Sequence, residues 1–234
     1  MTGVPPIAPA PAGDGPRTLD ALEERLSRPT SGVRDVLARV EGDVLVLGAG
    51  GKMGPSLSRM ARRALDELGG THAQRQVIAV SRFSDALARR RLDEWGVRTI
   101  AADLGDRDWL AALPDAPNVV YMAGQKFGTA DAPARTWWTN AVVPGLVAER
   151  FAGARIVAFS TGNVYPNTAA PGRGAAEDQP LTPAGEYANS CVARERVLEY
   201  ACERSRATHE LAYSPAGVSG WSSAAPRPGA AVFG

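Results

Sequence analysis

The stretch Gly48-Ala-Gly-Gly-Lys-Met-Gly54 gathers four glycines in seven residues, directly after the apolar run Val44-Leu-Val-Leu47. Residues without a Cβ let the backbone turn tightly and bring its amides against an anion, and the start of a following helix adds a favourable dipole. The chemistry this favours is the seating of a diphosphate, with Gly48, Gly50, Gly51, Lys52, Met53 and Gly54 as the cradle. A glycine triplet by itself is a weak signal, and an ordinary strand-to-helix turn is the competing reading. A second chemical position is Ser81-Arg82, at the end of the next apolar run. Folds selective for NAD place a carboxylate there for the ribose hydroxyls. None stands at these two positions, and Arg82 suits a 2′-phosphate, so the residues favour NADP over NAD.

Holding such residues in place requires regular elements, and the chain alternates them. Short apolar runs at 43–47, 76–80, 97–101, 118–122 and 155–159 read as five buried parallel strands. Met53, Leu57, Met60, Ala61 and Leu65 recur at helical spacing between the first two. Further helices are expected over 84–95, near Trp109, over 136–151 and over 186–205. The order predicts an α/β fold, a Rossmann-like doubly wound parallel sheet, as a single domain over 42–205. Residues 18–41 predict a helical extension broken near Pro29, with Thr18 as N-cap and Leu19, Leu22 and Leu26 packed on the main domain. Residues 1–17, rich in proline, alanine and glycine, predict a disordered leader. Residues 206–234 lack a β-branched run and predict an irregular tail, consistent with truncation or an altered reading frame.

Composition narrows the partners. Lys and Arg number 26 against 25 Asp and Glu, a formal net charge of +1, without the basic excess of a nucleic-acid binder. Arg89-Arg90-Arg91 reads as a solvated helix face. Cys191 and Cys202 fall in one expected helix, where a rise of ~1.5 Å per residue separates them by ~16 Å, beyond disulfide reach. That suggests a reducing compartment. The first residues lack the basic and apolar regions of a signal peptide, and no apolar run approaches the ~20 residues of a membrane span. A cytoplasmic protein is expected, with a small-molecule substrate, no nucleic-acid or membrane partner and no metal site.

Taken in order, the motifs resemble those of the extended short-chain dehydrogenase/reductase family, the NAD(P)-dependent epimerases and dehydratases. Gly48, Gly51 and Gly54 match its Gly-x-x-Gly-x-x-Gly pattern. Asp103-Leu104 resembles the pair that holds adenine, and Ala123-Gly124 the small-residue turn beside the cofactor. Asn140 resembles the family's Asn-Val-x-Gly position, with Gly145 out of register. Phe159-Ser-Thr-Gly-Asn-Val-Tyr-Pro166 is similar to its Ser-Ser/Thr…Val-Tyr-Gly segment. The resemblance implies that Thr161 hydrogen-bonds a substrate oxygen while Tyr187 exchanges a proton with it and nicotinamide gives or takes hydride. It also implies a homodimer and a sugar or nucleotide-sugar substrate.

The chain departs from that family at Cys191, four residues after Tyr187, where the family has lysine. Residues four apart share a helix face, and the family's lysine there favours tyrosinate and holds the nicotinamide ribose. The resemblance places Cys191 among the cofactor contacts, but a neutral thiol supplies neither charge nor comparable donors. Three readings stay open: a replacement cation, best supplied by Lys126 in the loop after the fourth strand; a Tyr187 that acts only as a neutral donor; or a module that binds cofactor without turnover, as a sensor or partner protein. The presence of Thr161 together with Tyr187 favours the first.

Overall fold

Every residue of Val44-Leu-Val-Leu47 is apolar because both faces of this strand are covered. In the computed structural model, which describes residues 15–168, 174–176, 178–205 and 213–216, it forms β1, Val44–Leu47. The pleat sends Leu45 and Leu47 into one core and Val44 and Val46 into the other. β2 (Val77–Ser81) and β4 (Asn118–Tyr121) flank it in parallel, and β3 (Arg98–Ala101) and β5 (Arg155–Thr161) extend the sheet on either side. One core joins Ile78, Val80, Val119 and Tyr121 to Leu110, Leu146, Phe151 and Leu198. The other joins Val77 and Ala79 to Leu37, Ala61, Leu65 and Leu92.

The helices follow the sequence reading, with local differences. α1 (Leu19–Leu26) and α2 (Ser31–Arg39) form the N-terminal extension, and Thr18 caps α1 through the Ala21 amide. α3 (Gly54–Leu68) follows the glycine turn, and a single turn α4 (Gly70–Ala73) was not foreseen. α5 (Ala86–Glu94) and α6 (Arg107–Ala111) stand where expected. The long helix expected over 136–151 is α7 (Pro133–Trp137), a π turn (Trp138–Val142) and α8 (Val143–Arg150). A π turn accommodates an extra residue within a helix, and this one contains Asn140. α9 spans Gly185–Ser205.

Two expectations are corrected. The tail is not irregular throughout: Tyr213–Ala216 forms β6, parallel to β5 and pairing Ala158 with Tyr213 through Thr161 with Ala216. β6 lies at the sheet edge, where backbone pairing on one side suffices and a proline such as Pro215 is tolerated without a β-branched run. The rest of 206–234, and residues 1–14 of the expected leader, lie outside the described residues.

The second correction concerns α1, whose leucines do not pack. Leu19 is 72% exposed and Leu26 51%, and the helix is held by charge instead. Arg91 chelates Glu23 at 2.8 and 2.9 Å and reaches Asp20, while Glu24 meets Arg63 at 2.9 Å and Arg59 at 3.0 Å. Arg91 is therefore a tether and not part of a solvated basic face. The Arg63 hydrogen bond, with the charges of Arg63, Arg59 and Arg28, holds the Glu24 carboxyl below its ordinary range against some desolvation. A lowered carboxyl stabilises the fold above its unfolded titration range and loses that contribution as pH falls through the folded value. Glu24→Ala should thus lower the amide-exchange protection of 19–26 relative to the intrinsic rate, as acid should, while the melting temperature of the sheet domain stays put. Unchanged exchange would show that other contacts hold α1.

Candidate functional site

The strand order β3-β2-β1-β4-β5-β6 reverses direction at β1, so the chain leaves β1 and β4 to opposite sides. Open α/β sheets take ligands in the crevice this leaves at the carboxyl ends. A cleft of about 880 Å³ lies there. Gly48, Gly50, Gly51, Ser81, Arg82, Asp103, Leu104, Ala123 and Gly124 line it, all of them residues expected to hold cofactor. Its walls also include Phe83, Asp85, Trp109, Gln125, Arg135 and Trp138, which the sequence reading did not place there. Asp85 bears on the cofactor preference. A carboxylate does stand near Arg82, although one of its oxygens caps α5 through the Leu87 amide at 2.8 Å.

The glycines divide the work. Gly48 adopts φ +89°, and a Cβ on it would stand 2.5 Å from the Ala123 nitrogen. A Cβ on Gly54 would stand 2.2 Å from the Ala49 oxygen, so this glycine lets α3 pack against the end of β1. At Gly51 an added Cβ would meet nothing nearer than the Gly48 oxygen, at 3.6 Å. The fold needs glycine at 48 and 54, and only a cleft occupant needs it at 51. Lys52 and Met53 were expected in the cradle, but both are exposed and do not line the cleft, and Gly54 is buried behind it. The turn directs these side chains outward, so any part they play runs through the backbone. The Gly50, Lys52 and Met53 amides have no acceptor among the described residues. A ligand-sized cleft with a bare Gly51 wall and such amides fits a dinucleotide diphosphate.

A second constellation forms where β5 ends and α9 begins. Thr161, the last residue of β5, accepts the Asn163 amide at 3.3 Å and hydrogen-bonds the Tyr187 phenol. Tyr187 lies half-buried in the first turn of α9 and also hydrogen-bonds the thiol of Cys191, one turn on. Burial pushes the phenol above the ordinary tyrosine range, with the thiol adding to that; the Thr161 bond and the Arg194 charge act downward. Burial likewise raises the Cys191 thiol, which is therefore neutral near pH 7. Cys191 is fully buried and does not line the cleft, a correction to its expected place among the cofactor contacts. Both cysteines are free.

Lys126 does not take the place foreseen for it. Its side chain is exposed and makes no ion pair among the described residues, and the cation on the α9 face that carries Tyr187 is Arg194. The loop is held back by the buried Asn140, whose amide donates to the Gln125 carbonyl at 2.9 Å and accepts the Gln125 amide at 2.7 Å. Asn140 also donates to Ser190 at 3.0 Å and accepts from Arg194 at 3.1 Å. All of its hydrogen-bonding capacity is used, so the β4 loop, the π turn and α9 form one rigid polar network. Arg194 itself was missed, though it falls on the helical face of Tyr187 and Cys191. Among the described residues, no group of three or more His, Cys, Asp or Glu could hold a metal ion, and no helix is long and apolar enough to cross a membrane.

An open parallel sheet, a glycine turn after its first strand and a cleft at its reversal point define a dinucleotide-binding Rossmann protein. The chain belongs to the NAD dependent epimerase/dehydratase family, whose model matches residues 44–215. The fold is shared with MoeE5, solved with UDP-glucose and NAD (23% identical, TM-score 0.56), over 74% of this chain and 53% of that one. It is shared also with the UDP-Glc/GlcNAc 4-epimerase of Campylobacter jejuni, at 19% identity and TM-score 0.60, over 74% and 53%. A third is DesIV, a dTDP-glucose 4,6-dehydratase from Streptomyces venezuelae solved with NAD and TYD, at 20% identity and TM-score 0.61, over 73% and 55%. The chain thus spans about half the length of these structures. No curated protein matches it by sequence.

Proposed function

We propose that this chain binds a nicotinamide dinucleotide in the β1/β4 cleft and acts as an oxidoreductase of the epimerase/dehydratase kind on a small polar substrate, a sugar or nucleotide sugar. The observation that carries the reading is that Thr161, at the end of β5, and Tyr187, at the start of α9, come together at the carboxyl end of the sheet. The names of the similar structures, with their UDP- and dTDP-linked ligands, support the substrate class. Gly48, Gly50 and Gly51 hold the diphosphate, and the Ser81–Arg82 and Asp103–Leu104 walls hold the adenosine half. Bound nicotinamide supplies or accepts hydride. Thr161, oriented by the Asn163 amide, fixes the substrate oxygen, and Tyr187 gives or takes its proton. Purified protein offered each dinucleotide with a panel of nucleotide sugars should change nicotinamide absorbance or yield an isomerised sugar. Saturable dinucleotide binding with no conversion of any sugar would favour the second reading, a non-catalytic sensor, to which the neutral Cys191 thiol points.

The cleft wall also supports a preference for NADP, because Arg82 lines it and is exposed. Arg82→Asp should shift selectivity toward NAD by roughly tenfold, the worth of one charge-assisted hydrogen bond. An unchanged ratio of the two dissociation constants would remove Arg82 from the site and leave Asp85 as the residue facing the ribose.

A further inference from the structure

Arg194 is only 6% exposed, and a buried charge is costly unless its donors are satisfied. Its Nη1 donates to the Phe159 carbonyl at 2.9 Å, its Nη2 to the Asn140 side-chain oxygen at 3.1 Å and its Nε to the Asn140 carbonyl at 3.4 Å. These acceptors are neutral oxygens, and Arg194 has no carboxylate within ion-pair distance among the described residues. Its charge is solvated by the protein without being cancelled. Gly124 makes the room: a Cβ there would stand 2.7 Å from Nη2. Along α9, Arg194 lies three residues past Cys191 and seven past Tyr187, spacings that keep all three on one face.

We propose that Arg194 is a positioning residue that supplies, from one turn further along α9, the positive charge that the family's lysine supplies at position 191. The inference rests on the reading of Tyr187 as the proton-exchanging group. With the cation displaced to 194, position 191 must stay uncharged, and Cys191 is small, buried and neutral. Three of the five guanidinium N–H donors are committed to protein oxygens, no hydrogen bond joins Arg194 to Tyr187 among the described residues, and what it contributes there is charge. The downward influence of Arg194 on both the phenol and the thiol agrees with this placement. Around this face stand Tyr121 from β4, Ser160 and Thr161 from β5, and Glu195 from α9; the π turn brings only neutral Asn140. Glu195 takes the Ser160 hydroxyl and opposes Arg194 at Cys191, while Glu186, at the start of α9, takes the Trp137 indole N–H.

The test is a tyrosine titration followed by NMR with ring-carbon labelling, in the full chain and without any substrate. Tyr187 is assigned through Tyr187→Phe. In Arg194→Met, Tyr187 should titrate at higher pH than in the wild type, and in Arg194→Lys it should return toward the wild-type value. A folded Arg194→Met protein with an unmoved Tyr187 overturns the proposal. Should that variant fail to fold, Arg194→Gln, which removes the charge and keeps a polar side chain, puts the same question. Tyr187 should again titrate at higher pH than in the wild type, and an unmoved Tyr187 would overturn the proposal. Neither readout needs turnover or cofactor, so failure here is distinct from failure to bind dinucleotide or convert sugars.

Discussion

Gly51→Val should abolish dinucleotide binding, by more than ~100-fold or ~2.7 kcal/mol, in a protein that still folds. The geometry separates the two effects. A Cβ at position 51 meets no protein atom closer than 3.6 Å, so the substitution costs the empty fold little. A branched side chain there nevertheless projects into the cleft where the backbone must approach the diphosphate. Gly54→Val is the contrasting control. With the Ala49 oxygen 2.2 Å from its Cβ, it should damage the β1–α3 junction and lower the melting temperature outright. Fluorescence titration with reduced dinucleotide and a thermal melt of both variants distinguish these outcomes. Unaltered affinity in Gly51→Val would place the ligand elsewhere.

Tyr187→Phe should lower turnover by ~10²–10⁴-fold, the usual worth of a general acid–base group, and leave dinucleotide affinity as it was. The ring stays in its half-buried place at the head of α9, and only the hydroxyl that bonds Thr161 and Cys191 is lost. The wild type carries a second signature. Burial holds the Tyr187 phenol above the ordinary tyrosine range, so it is protonated at neutral pH, and steps that need tyrosinate should accelerate as pH rises. That alkaline rise should vanish in Tyr187→Phe. A rate that is unchanged, or that keeps its rise, would transfer the proton chemistry to another group.

Much of the framework was legible because it obeys local rules. Runs such as Val77-Ile-Ala-Val80 are apolar at every position since the pleat feeds two cores, and parallel strands covered on both faces leave that mark in sequence. The glycine turn was legible for the same reason, since its conformational demand falls on few residues. Other features answer to tertiary context. Leu19, Leu22 and Leu26 carry helical spacing yet stay exposed, because α1 is anchored by Arg59, Arg63 and Arg91 from distant elements. β6 is an edge strand made by backbone pairing, which asks little of side chains. Lys126 looked close to the site by loop order, but Asn140 fixes that loop with Lys126 outside. Arg194 had a signal that went unread: Tyr187, Cys191, Arg194 and Leu198 form one stripe of α9, and an arginine amid its apolar and small residues marks a buried charge with a task.

The most direct measurement is calorimetric titration of the wild-type chain with NAD, NADH, NADP and NADPH. Saturable heat with at least one of them, lost in Gly51→Val, is the predicted result. No saturable binding of any of the four up to millimolar concentration would contradict a diphosphate seat on the turn between β1 and α3.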